Sequence, residues 1–221
     1  MKATRIIVAT IGVILGIAGI DHGFFEILQG NTPTNGLIIQ AIGESNRMWL
    51  HGTEEAFTII PNFLVTGILA IMVSLAIMIW SVGYVHIKHG ASVFGLLCVL
   101  LFLVGGGIAA QIMFVPVTWA VAKRINQPLS WWRKVLPENI RRVLSKIWPA
   151  TLALGTLSFL IGLFIAITGY VPGESNPERI LGICWLFIFL GGLGMYLLTF
   201  VAGFAYDIGQ QVNSHQTERV R

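Results

Sequence analysis

Five long stretches of this chain carry no Asp, Glu, Lys or Arg: 6–20, 56–87, 91–122, 147–173 and 180–206. A helix that spans a bilayer needs roughly 20 apolar residues, and the last four stretches exceed that. The first reaches it when 21–28 is counted as its polar end. None alternates as a barrel strand would, and lipid admits no other open structure. The pattern predicts an all-α polytopic membrane helix bundle of about five transmembrane helices, at 6–29, 56–82, 92–119, 149–171 and 180–206 of a single membrane domain.

Within the first helix, Gly12, Gly16, Gly19, Gly23 and Glu26 share one stripe at about 100° per residue. Small residues at this spacing let helices approach closely, so the stripe is a packing face. His22 lies beside Glu26, and Asp21 points the other way. The segment 31–43, with Pro33 and Gly36, reads as a loop or short re-entrant element. Ser45 is a plausible N-cap for the next helix. On that helix His51, Glu55, Thr58 and Asn62 would align as a polar track about 16 Å long, with Glu54 one step round.

The second half of the chain resembles the middle. Pro61, Gly83-Tyr84-Val85, Cys98 and Gly105-Gly106 return as Pro149, Gly169-Tyr170-Val171, Cys184 and Gly191-Gly192. This predicts a parallel repeat of two helical hairpins after the glycine-faced first helix, with units at about 45–125 and 132–211. Between them, 136–148 is amphipathic. Ile140, Val143, Leu144 and Ile147 oppose Arg141, Arg142 and Lys146, as in a helix lying at the membrane surface. The polar tail after Tyr206 is expected to fray.

Composition sharpens the class. The chain is 55% hydrophobic and 11% charged, against about 25% charged in soluble domains. Its opening resembles a signal peptide, but Asp21 and His22 follow Ala18-Gly19 directly, so it reads as a retained anchor. Cys98 and Cys184 sit in hydrophobic runs and behave as small apolar residues. The net charge of +4 does not point to nucleic acid, because the basic residues crowd one flanking loop. With five spans, Lys2, Arg5, Lys88 and Arg179 share one side and the other ten basic residues the opposite one. The positive-inside rule then puts the N-terminus outside and the C-terminus in the cytoplasm, most simply in the cell membrane.

Ionisable residues inside a membrane mark functional sites by default. The candidate pocket is His22, Glu26, His51, Glu54, Glu55 and Asn62, with Asp21, Glu44 and Arg47 as outer members, on the cytoplasmic side. Glu26 and Glu55 supply charge, and His22 and His51 accept protons or act as ligands. The leading expectation is a protein that binds or translocates a small solute or cation. The alternative is a membrane-embedded metalloenzyme acting on a lipid or quinone-like substrate. There His22, Glu26, His51 and Glu55 would hold zinc or iron, since mixed imidazole and carboxylate donors suit those metals. A third class is a non-catalytic scaffold subunit, joining its own copies or a membrane complex through glycine-rich faces. An interfacial charge network around Arg47 would need no function at all.

Overall fold

The computed structural model describes residues 2–219, with side chains to residue 212. Apart from one small β-hairpin it is helical. The order is α1 (Ala3–Leu28), β1 (Ile38–Gln40), β2 (Glu55–Phe57), α2 (Phe63–Gly83), α3 (Gly90–Leu103), α4 (Ala109–Ala122), α5 (Ser130–Val135), α6 (Glu138–Thr168), α7 (Pro177–Trp185), a π-helical stretch (Leu186–Gly194) and α8 (Met195–Arg219). Among the described residues, four helical segments are long and apolar enough to cross a membrane: Ala3–Leu28, Phe63–Gly83, Glu138–Thr168 and Pro177–Val212. The protein is a helical membrane bundle.

The glycine stripe of α1 seats α2 antiparallel against it. Gly12 faces Ser81, Gly16 faces Met78 and the Ser74 carbonyl, and Gly23 and Gly67 each press on the other's carbonyl oxygen. The same stripe receives α3, which runs parallel to α1, with Phe94 at Gly12 and Leu101 at Gly19. The packing face read from the sequence is therefore filled from within the chain.

The third apolar run is where the architecture departs from five spans. α3 and α4 have 14 residues each, about 21 Å at 1.5 Å per residue and short of the roughly 30 Å hydrocarbon core. They fold back on one another, with Gly95 against the Trp119 indole. Beyond α4, the Asn126 amide donates to the His86 carbonyl (3.0 Å), and its side-chain oxygen accepts from Lys2 Nζ (3.2 Å). Both ends of the pair thus lie at the face where the chain begins. This run is a helical hairpin that turns back on itself, its tip at Gly105–Gly107 reaching Glu26 and His22.

The remaining helices follow. α6 leaves the terminal face and ends beside Trp49, whose indole donates to the Ala166 carbonyl at 2.8 Å. The chain returns through α7 and α8, with Ile188 at Gly162 and Tyr196 at Gly155. It closes with Asp207, which accepts from the Ala3 (2.8 Å) and Thr4 (3.1 Å) backbone N–H groups and from the Thr4 hydroxyl. The first and last helices therefore meet at one face, and both ends of the described chain are on it.

Several boundaries change accordingly. The second span begins at Phe63, not 56, because Asn62 caps α2 by accepting from Val65 N–H at 3.1 Å. The amphipathic stretch 136–148 does not lie apart, since α6 runs through Pro149 without interruption. α8 continues helical to Arg219 rather than ending near Tyr206. α2 runs towards the terminal face and α6 away from it, so the two matched units are not parallel. Their shared glycine pairs do both fall where α-helix gives way, Gly105-Gly106 at the hairpin tip and Gly191-Gly192 in the π-helical stretch.

Candidate functional site beneath the lid

The segment between α1 and α2 forms a lid rather than the start of a helix. β1 and β2 pair antiparallel, Ile39 opposite Ala56. Burial follows the strand period of two, with Ala56 and Thr58 buried and Glu55 and Ile59 exposed. Consequently His51, Glu55, Thr58 and Asn62 do not form one helical track. Their destinations differ. His51 Nε2 meets Glu178 Oε1 at 3.0 Å on the surface, tying the lid to α7. Asn62 caps α2 and donates to Asn31 Oδ1 at 2.7 Å. Glu44 and Arg47 form an exposed pair at 3.8 Å.

The lid completes the broken hairpin. Unwinding helix inside a membrane frees backbone groups, which must find partners. Ile59 N–H donates to the Leu103 carbonyl (2.9 Å), Gly105 N–H to Phe57 (3.0 Å) and Ile108 N–H to Glu55 (3.1 Å). The Thr66 hydroxyl, on α2, donates to the Val104 carbonyl at 2.8 Å, and the Gln111 amide to Gly106 at 3.4 Å. Gly105 (φ 95°) and Gly107 (φ 87°) take left-handed conformations that glycine adopts without strain. A methyl on Gly105 would collide with both Glu26 oxygens, and one on Gly107 would sit 2.6 Å from His22 Nε2.

His22 Nε2 contacts Glu54 Oε2 at 2.5 Å, a buried imidazole meeting a partly exposed carboxylate. Burial alone would push Glu54 up; the charge and hydrogen bond of His22 outweigh it and hold the carboxyl below its ordinary range. A cavity of about 430 Å³ opens beside this pair. Its polar end is His22, His51, Thr53, Glu54 and Glu55, and its body is apolar, walled by Phe114 of α4, Phe159 and Leu163 of α6, and Trp185 and Ile188. Trp49 joins the polar end to α6. The cavity therefore brings together four of the six predicted pocket residues and leaves out Glu26 and Asn62.

Glu26 lies behind His22, fully buried against the hairpin tip, with neither carboxylate oxygen hydrogen-bonded among the described residues. No three His, Cys, Asp or Glu side chains among the described residues gather closely enough to hold a metal ion. His22, Glu26, His51 and Glu55, the expected ligands to zinc or iron, do not converge on one point, because the lid turns His51 towards Glu178. Sequence reasoning also missed Trp49 and the role of Gly107. The signal for the latter was present, since three consecutive glycines rarely continue a helix. No protein-family model, curated protein or solved structure matches this chain.

Proposed function

We propose that this membrane protein binds a small, lipid-soluble organic cation in the cavity beneath the lid. The observation that carries this reading is the cavity's polarity, with carboxylates at one end and an apolar, aromatic body. Its volume falls in the usual range for small-molecule sites of about 300–1,000 Å³. Glu54 and Glu55 favour a positive head group, and Trp49 and Trp185 add aromatic faces that attract cations. An apolar tail then fits against Phe114, Phe159 and Leu163.

The fold also supports a different orientation from the one expected of five spans. Lys2, Arg5, Lys88, Lys123, Arg124, Arg133, Lys134, Arg141, Arg142 and Lys146 all fall at the terminal face. Among the described residues, Arg47 and Arg179 are the basic residues at the lid face. The excess of Lys and Arg marks the terminal face as cytoplasmic. Lys2 and Arg5, which the five-span reading leaves on the outer side, fall here with the other basic residues. The binding cavity accordingly faces away from the cytoplasm.

Tryptophan fluorescence of the protein in lipid nanodiscs tests the binding. Aromatic amines are titrated alongside neutral compounds of the same shape. Cationic members should bind and lose about tenfold or more in affinity in Glu54→Gln/Glu55→Gln, a change of about 1.4 kcal/mol. Equal binding of charged and neutral members, or none of either, would overturn the proposal.

A further inference from the structure

Glu26 stands apart from that cavity and poses a separate question. It is 0% exposed, and neither oxygen has a hydrogen-bond partner among the described residues. Leaving an ionised carboxylate in such a place costs many kcal/mol, so the charge must be neutralised. Among the described residues, the groups packed around it supply no positive charge that is not already paired. α1 offers His22 one turn away, committed to Glu54 at 2.5 Å. The hairpin tip offers Gly105, and α2 offers Thr66, whose hydroxyl is spent on Thr58 and on the Val104 carbonyl. Asp21 and Glu54, the other ionisable groups nearby, are themselves acids.

What the tip does supply is unwound backbone. Gly105 and Gly107 carbonyls accept no hydrogen bond among the described residues. The tip is also where the C-terminal, negative end of α3 meets the N-terminal, positive start of α4. Half-helices whose interrupted backbone meets a buried acid are an arrangement that accommodates compact cations inside membranes.

We propose that Glu26 and the glycine tip of the α3–α4 hairpin form an internal site for one compact positive charge, a proton or a sodium ion. His22, one turn along α1, contacts Glu54, whose side chain is 26% exposed, and is the nearest polar link between this site and solvent. No fixed ion pair is needed, and the site fills and empties with the ion. Because Glu26 does not line the cavity, this inference stands whether or not an organic cation binds there.

The test is infrared difference spectroscopy of the full-length protein in nanodiscs, with ¹³C-labelled glutamate. Spectra are taken from about pH 4 to about pH 10 in sodium and in choline buffers. Above about pH 6 exposed glutamates are ionised, so a protonated-carboxyl stretch remaining there reports a buried one. The expected result is one such band that is lost in Glu26→Gln and kept in Glu54→Gln. If the ligand is a proton, the band titrates alike in both buffers. If it is sodium, adding sodium at neutral pH removes the band and choline does not. A Glu26 that stays ionised at every pH without responding to sodium would overturn the proposal, as would a band unchanged across the whole range. Should Glu26→Gln fail to fold, the labelled wild-type protein with Glu54→Gln for assignment still decides between these outcomes.

Discussion

Replacing Asp207 by Ala should cost this protein about 3 kcal/mol. Asp207 is 3% exposed, yet it lies 203 residues from the helix end that it caps. Lys2, at the N-cap position of α1, offers no side-chain hydrogen bond, so the first turn depends on Asp207 for its N–H groups. A capping side chain is worth about 0.5–2 kcal/mol, and leaving a buried donor unsatisfied costs about 1–3 kcal/mol. Asp207→Ala orphans two backbone donors and one hydroxyl. Water reaching the vacated space would satisfy part of that loss, which brings the expectation to about 3 kcal/mol. For a chain of this size that is a fall of roughly 6–12 °C in Tm. Asp207→Asn, which keeps one acceptor, should lose about half as much. Thr4→Val, which removes only the hydroxyl, should lose about 1 kcal/mol. Thermal unfolding in mild detergent, followed by circular dichroism, measures all three. A change in Tm below about 2 °C for Asp207→Ala would refute the closure of α8 onto α1.

Gly23→Ala should destabilise by about 1–3 kcal/mol, because the added methyl falls 2.6 Å from the Gly67 carbonyl oxygen. Gly182→Ala, where a methyl meets open space on α7, should instead stabilise by up to about 1 kcal/mol, and the same unfolding assay compares them. Trp49→Phe removes the indole donor to the Ala166 carbonyl and should loosen the lid by about 1 kcal/mol, read as faster amide exchange over residues 38–57. The pH dependence has a definite sign. Glu54 is held below its ordinary range when folded, so its contribution is present above the unfolded pKa of about 4.3 and is lost as pH falls through the lower folded value. Stability measured from neutral pH downwards should therefore drop in that acid window, and Glu54→Gln should flatten the drop.

How much of this was legible depended on which physics each segment obeys. The stripe of Gly12, Gly16, Gly19, Gly23 and Glu26 was readable because α1 is one unbroken helix, where spacing fixes direction. The membrane class was readable because charge-free length is what lipid demands. Charge-free length cannot, however, tell a span from a hairpin that turns back, since both bury the same apolar surface. Gly105–Gly107 carried that difference, and helical periodicity does not weigh it. The lid failed for a related reason. His51, Glu55, Thr58 and Asn62 fit a helix by spacing, but Glu55–Phe57 pairs with Ile38–Gln40, a contact that local pattern does not encode. His22 and Glu54 were named as members of one cluster, while their direct contact came only from the lid's fold.

The central claim is that the third apolar run turns back inside the membrane, leaving both ends of the described chain on one face and the polar site near the other. Cysteine accessibility tests it most directly. Lys88→Cys, Gln127→Cys and Asn35→Cys are each treated with a membrane-impermeant maleimide in intact cells and again after lysis. Cys98 and Cys184 are buried and contribute little background. The account predicts that positions 88 and 127 behave alike, protected in intact cells and labelled on lysis, while position 35 reacts from outside. Opposite behaviour of positions 88 and 127 would mean that the run between them spans the membrane, and would contradict the account.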